Sequence, residues 1–141
     1  MPPIFQDNPD NLYKLMAIHK ALMLAKWADP PLAPEIAGSP FIAEALTEIQ
    51  KIIDQIEIGR GKPERANWSG GKMMTHSARW EATLRIAVPN PIPDHFRRFW
   101  LNASEEERVA DVRILFIPFE PDEEQISIFM AEVTRRMQVQ D

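Results

Sequence analysis

Cysteine is absent from the 141 residues. That excludes disulfides, thiolate nucleophiles and zinc sites built on sulfur, and it suits a chain that stays in a reducing compartment. Long apolar runs are lacking too. The longest, Ala21, Leu22, Met23, Leu24 and Ala25, falls far short of the roughly twenty residues that a bilayer span requires. The opening Met1, Pro2, Pro3, Ile4 and Phe5 has neither the basic nor the apolar region of an export signal, so a cytoplasmic location is expected, with no membrane partner. No internal repeat and no low-complexity tract is found.

Catalytic signatures are equally scarce. There is no Gly-x-Ser-x-Gly to hold a nucleophilic serine on a strained turn. His19, His76 and His95 fall on separate segments, and none has the spacing that sets two ligands on one helical face, so neither a metal nor another cofactor is expected. Residues 67–72 end in Gly-Gly-Lys but lack the spacer of a phosphate loop, and Met73 stands where its metal-binding hydroxyl belongs. The acidic runs Glu105, Glu106, Glu107 and Asp122, Glu123, Glu124 stand at expected helix starts, where offsetting the helix dipole accounts for them. The balance of these absences leans away from an enzyme.

What the chain does have is sorted charge. Residues 1–59 carry four Lys/Arg against eight Asp/Glu, residues 60–100 carry eight against three, and residues 101–141 carry four against ten, so the blocks balance at −4, +5 and −6. The basic block also holds Trp68, Trp80 and Trp100, three of the four tryptophans. Composition is otherwise that of an ordinary globular chain, 45% apolar and 26% charged, long enough to bury a core as one domain over residues 1–141.

Asn8 followed by Pro9 is a helix start, and Leu12, Leu15, Met16, His19, Leu22, Met23 and Trp27 recur at spacings of three and four, which predicts a helix over residues 9–28. Ser39 and Pro40 open a second, with Ile42, Leu46, Ile49, Ile53 and Ile56 on one stripe and Gly59 as the left-handed residue that ends it. Residues 1–59 are therefore expected to form a helical pair, and residues 60–73 a basic glycine-rich loop with Ser69, Gly70 and Gly71 as a turn. From Met74 to Val88 the even positions are mostly apolar and the odd ones polar, the period of a strand. Pro93 begins a short helix carrying Phe96, Phe99 and Trp100 inward, and Ser104 with Glu107 forms a capping box. Residues 112–117 are apolar on both sides, as in a central strand. Pro121 opens a last helix, acidic at its start and basic at its end. Residues 74–141 thus read as strand, helix, strand, helix. The fold class expected is α+β: an N-terminal helical hairpin, then a small sheet of two or three strands with C-terminal helices packed on it, a further strand at residues 64–68 being one option.

The site expected to matter is the basic block. Arg60, Lys62, Arg65 and Lys72 sit on the loop with Trp68 among them, and Arg79 and Arg85 share the wet face of the expected strand. Trp and Arg together dominate protein interfaces and also grip single-stranded nucleic acid. Net acidity, −5 with pI near 5.2, favours the first use. The bland alternative is that Trp80 and Trp100 are core residues, that Arg79 pairs with Glu81, and that the loop merely neutralises the acidic helices. The expectation is a small non-enzymatic protein of adaptor, immunity or assembly type, binding another protein or its own copy through the loop and the strand. A nucleic-acid-binding module using the same block is the alternative.

Overall fold

A computed structural model describes residues 6–28, 34–66 and 71–139. Among the described residues every regular element is a helix and there is no strand, so the fold is all-α and the expected sheet does not form. The chain packs as two compact units, Met1–Gly71 and Lys72–Asp141, whose boundary lies within the segment read as a basic loop.

In the first unit Asn8 accepts the Asp10 N–H at 2.9 Å and starts a 3-10 turn, Pro9–Asn11, which runs into α1 (Leu12–Lys26). A short α2 (Pro34–Ala37) precedes α3 (Pro40–Gly59). The hydroxyl of Ser39 accepts the Phe41 and Ile42 N–H groups, and Pro40 sits where its missing donor costs nothing. The stripes foreseen on α1 and α3 meet: Leu12 and Leu15 pack with Ile49, Ile53 and Ile56, and Met16, Ile18, Leu22 and Ile52 close around them. Burying each such side chain contributes about 1.5–3 kcal/mol. The same interior takes in polar groups, since Asn11 of the 3-10 turn, His19 and Lys26 of α1, and Gln50 and Glu57 of α3 are buried.

The second unit contains α4 (Ala78–Ala87), α5 (Asp94–Asn102), α6 (Glu105–Phe116) and α7 (Glu123–Val139). Its centre is an aromatic triad. The rings of Trp80, Phe116 and Phe129, from α4, α6 and α7, meet edge to face at 5.0–5.5 Å between centroids, a geometry that suits their quadrupoles. Trp100 of α5 is buried as well and donates its indole N–H to Thr134 Oγ1 at 2.9 Å. Both tryptophans are core residues.

Two expected strands are helices for physical reasons. In α4 the alternation is real, but seven of its ten residues are Ala, Arg, Glu or Leu, which favour the helix. Trp80, Thr83, Leu84 and Ile86 are its buried residues, with Val88 buried just past its end, and the burial of Thr83 at an odd position is what breaks the strand pattern. Thr83 returns its hydroxyl to the Arg79 carbonyl at 2.7 Å and so enters the core without an unpaired group. His76, at φ 63°, turns the chain so that Ser77 can accept the Trp80 N–H at 3.2 Å and cap α4. Residues 112–117 belong to α6 and the turn after it. They are apolar on two sides because α6 packs against both α4 and α7. Their helix starts at the foreseen capping box, in which Ser104 and Glu107 each accept the other's backbone N–H at 3.1 Å.

Asp122 and Gln125 cap α7 in the same reciprocal way, Gln125 N–H to Asp122 Oδ1 at 2.7 Å and Asp122 N–H to Gln125 Oε1 at 3.3 Å. The buried Gln125 amide also donates to the Met73 carbonyl at 2.6 Å and to Thr75 Oγ1 at 3.2 Å. One side chain therefore fastens the segment before α4 to the start of α7, with its oxygen and both N–H donors used.

Candidate functional site

The end of α3 presents the first basic residues. Gly61 N–H donates to the Ile58 carbonyl at 3.0 Å and Lys62 N–H to the Glu57 carbonyl at 2.9 Å, the bond pair of a Schellman motif. Its left-handed position is Gly61, at φ 76°, and not Gly59, which is the last helical residue. An alanine at position 61 would have room for its Cβ but would strain the backbone. The motif fixes Lys62 just beyond the helix, and a 3-10 turn, Pro63–Arg65, follows. This short element takes up the start of the extra strand that sequence reading allowed at residues 64–68, of which 67 and 68 lie outside the described residues.

Of the four loop cations, Arg60 is already engaged. Its Nη1 lies 3.2 Å from Oε1 of the buried Glu57. Lys62 is half-buried and Arg65 exposed, and neither side chain has an ion pair among the described residues. Both stand beyond the negative end of the α3 dipole, which favours their charge. Trp68, the expected aromatic anchor, and the turn at Ser69, Gly70 and Gly71 fall largely outside the described residues, only Gly71 lying inside them.

The remaining nominated cations belong to the second unit and do not form one face. Lys72 makes a salt bridge with Asp122, whose carboxyl is held below its usual range chiefly by that hydrogen bond and by the Gln125 N–H. Arg79 lies over the Phe119 ring, 5.3 Å from its centroid. Glu81 pairs with Arg136 at 3.1 Å rather than with Arg79. Arg85 is exposed in the last turn of α4 and has no ion pair among the described residues. A strand would have put Arg79 and Arg85 on a common side. Six helical positions turn through about 600°, which sends them to different sides.

The histidines offer no catalytic grouping. His19 is wholly buried on α1, and burial lowers its pKa while nearby Asp54 works the other way. His76 is exposed in the turn before α4, its ring 6.1 Å from that of Trp80, and His95 is exposed in the first turn of α5, against Phe96. Among the described residues no three His, Asp or Glu side chains gather closely enough to hold a metal ion. None of the described helices is long and apolar enough to cross a membrane.

One surface escapes the sequence reading. An open groove of about 740 Å³ lies between α6 and α7, bordered by Glu105, Arg113, Glu123 and Arg135 and floored by Val109 and Met130. In the sequence Glu105, Glu123 and Arg135 read only as partners of helix dipoles, and Arg113 falls within the segment read as a strand. The sign that could have revealed it is the spacing of four that puts Glu105, Val109 and Arg113 on one line along α6. No family model, no curated protein and no solved structure matches the chain.

Proposed function

We propose that this is a small, non-enzymatic cytoplasmic protein of adaptor, immunity or assembly type that docks a carboxylate-rich surface of another protein at Lys62 and Arg65. The supporting observation is selective pairing. Arg60 and Lys72 are matched by carboxylates of their own unit, while Lys62 and Arg65, held by the Schellman motif and the turn after it, have no ion pair among the described residues. Cations in fixed positions lose little freedom on docking, which lowers the cost of association. Trp68, three residues after Arg65, supplies the large ring that interface centres favour.

The test is capture from cell extract with the wild-type chain and with a Lys62→Glu, Arg65→Glu, Trp68→Ala variant. The wild type retains a partner protein that high salt releases, because exposed ion pairs weaken once the Debye length falls below about 8 Å. The variant loses it. Retention of every partner by the variant contradicts the proposal, and so does wild-type protein that carries nucleic acid instead, with affinity falling steeply in salt.

A further inference from the structure

The two sides of α1 are alike in chemistry. Leu12, Leu15 and His19 face the interior of the first unit, yet the outward side is apolar as well. Tyr13, Ala17, Ala21 and Leu24 are all exposed and lie within about 40° of Ala17 around the helix axis, over a rise of about 16 Å. The two large ones are 76% and 67% exposed, Tyr13 and Leu24 in that order. The other long helix of the same unit, α3, has the solvated side that α1 lacks. There Glu44, Glu48, Lys51 and Gln55 face outward, and the exposed apolar residues, Phe41 and Ile58, stand only at the two ends. A helix that is apolar all round is one that is covered all round, and an exposed apolar stripe marks the side a partner covers.

Charge indicates what kind of surface does so. Lys14 and Lys20 are exposed about 60° to either side of Ala17 and border the stripe along both edges. Neither has an ion pair among the described residues, and α1 contains no Asp or Glu. We propose that the outward side of α1 docks an amphipathic helix of a partner protein, one whose apolar seam lies on the stripe and whose carboxylates flank that seam to meet Lys14 and Lys20. The methyl groups of Ala17 and Ala21, set between the larger Tyr13 and Leu24, let the axis of such a helix approach to about 8 Å. They also disfavour a lipid surface, to which the stripe offers only two large side chains for burial. A second copy of α1 fits no better, because it would gather lysines from both chains and no carboxylate in one contact. The site proposed above lies beyond the end of α3 and shares no residue with this stripe, so the two stand independently.

Fluorescence anisotropy of labelled peptides added to the whole chain tests the proposal. One synthetic helical peptide carries leucine and alanine on a stripe with glutamate along both edges, and a second has lysine in place of every glutamate. Vesicles of phosphatidylserine and phosphatidylcholine are assayed in parallel by cosedimentation. The glutamate peptide binds about tenfold or more tightly than the lysine peptide, and the vesicles are not bound. Ala17→Glu weakens the glutamate peptide about tenfold or more, with circular dichroism confirming that the variant keeps its helices. Lys14→Glu with Lys20→Glu reverses the preference, so that the lysine peptide becomes the tighter ligand, an exchange that mere loss of structure would not produce. Lys62→Glu with Arg65→Glu leaves both peptides bound as by the wild type, which separates this surface from the one proposed above. A glutamate peptide bound no more tightly than the lysine one, a preference that survives the exchange at Lys14 and Lys20 or vanishes with Lys62 and Arg65, or vesicles bound in place of the peptide would each overturn the proposal.

Discussion

Lys26 is the most demanding residue of the first unit. Its side chain is 2% exposed, and burial pushes its amine down to about 7, with the Trp27 ring 4.8 Å from Nζ. Between that value and the ordinary 10.5 the unfolded chain binds more protons than the folded one, so stability rises with pH across this window and is lost on acidification through about 7. His19 acts in the same direction at lower pH. Its folded pKa lies below 6.5, so stability is lost again as pH falls from 6.5 through that lowered value. Lys26→Met keeps the packing and removes the charge. Urea titrations followed by circular dichroism should then show a first unit more stable at pH 7, by on the order of a few kcal/mol, and nearly flat from there up to 10.5. An unchanged pH slope in the variant would place the cost elsewhere.

Among the elements, α4 shows most clearly what a sequence hides. Its alternation of apolar and polar residues is genuine, yet the small alanines Ala78 and Ala82 count as apolar without being core, and the polar Thr83 is fully buried. Hydropathy alone cannot separate those cases, whereas helix propensity and the cap at Ser77 do. Ser77→Ala should therefore cost about 1 kcal/mol in a urea titration, because the Trp80 N–H loses its acceptor at 3.2 Å. A residue on the wet face of a strand would give no change. α1, α3 and α7 are legible because their stripes and start signals agree, whereas α5 forms where expected but leaves Phe99, read as inward, exposed. In α6 the capping box is visible, but an apolar end packed between two neighbours looks like a buried strand. At the end of α3 the sequence reading selects Gly59, and the bonds to Glu57 and Ile58 show that the left-handed residue is Gly61.

At the scale of the whole chain the sorting of charge is the lasting observation, though it does not mean what a simple count suggests. The +5 of residues 60–100 is partly consumed inside each unit, by Glu57 on Arg60, Asp122 on Lys72 and the Phe119 ring under Arg79. Such pairings join residues up to fifty positions apart, and composition carries no trace of them. The cations of the block without an ion pair among the described residues are fewer than the block itself and include Lys62 and Arg65 beyond α3, Arg85 at the end of α4 and Arg98 on α5. A carbodiimide joins an amine only to a carboxylate already touching it, so it reads this distinction directly. Treated in complex with its captured partner and analysed by mass spectrometry, Lys62 should be linked to a carboxylate of that partner, while Lys72 is linked to Asp122 of its own chain. Lys62 joined only to acids of its own chain, or Lys72 joined to the partner in place of Asp122, would contradict the account.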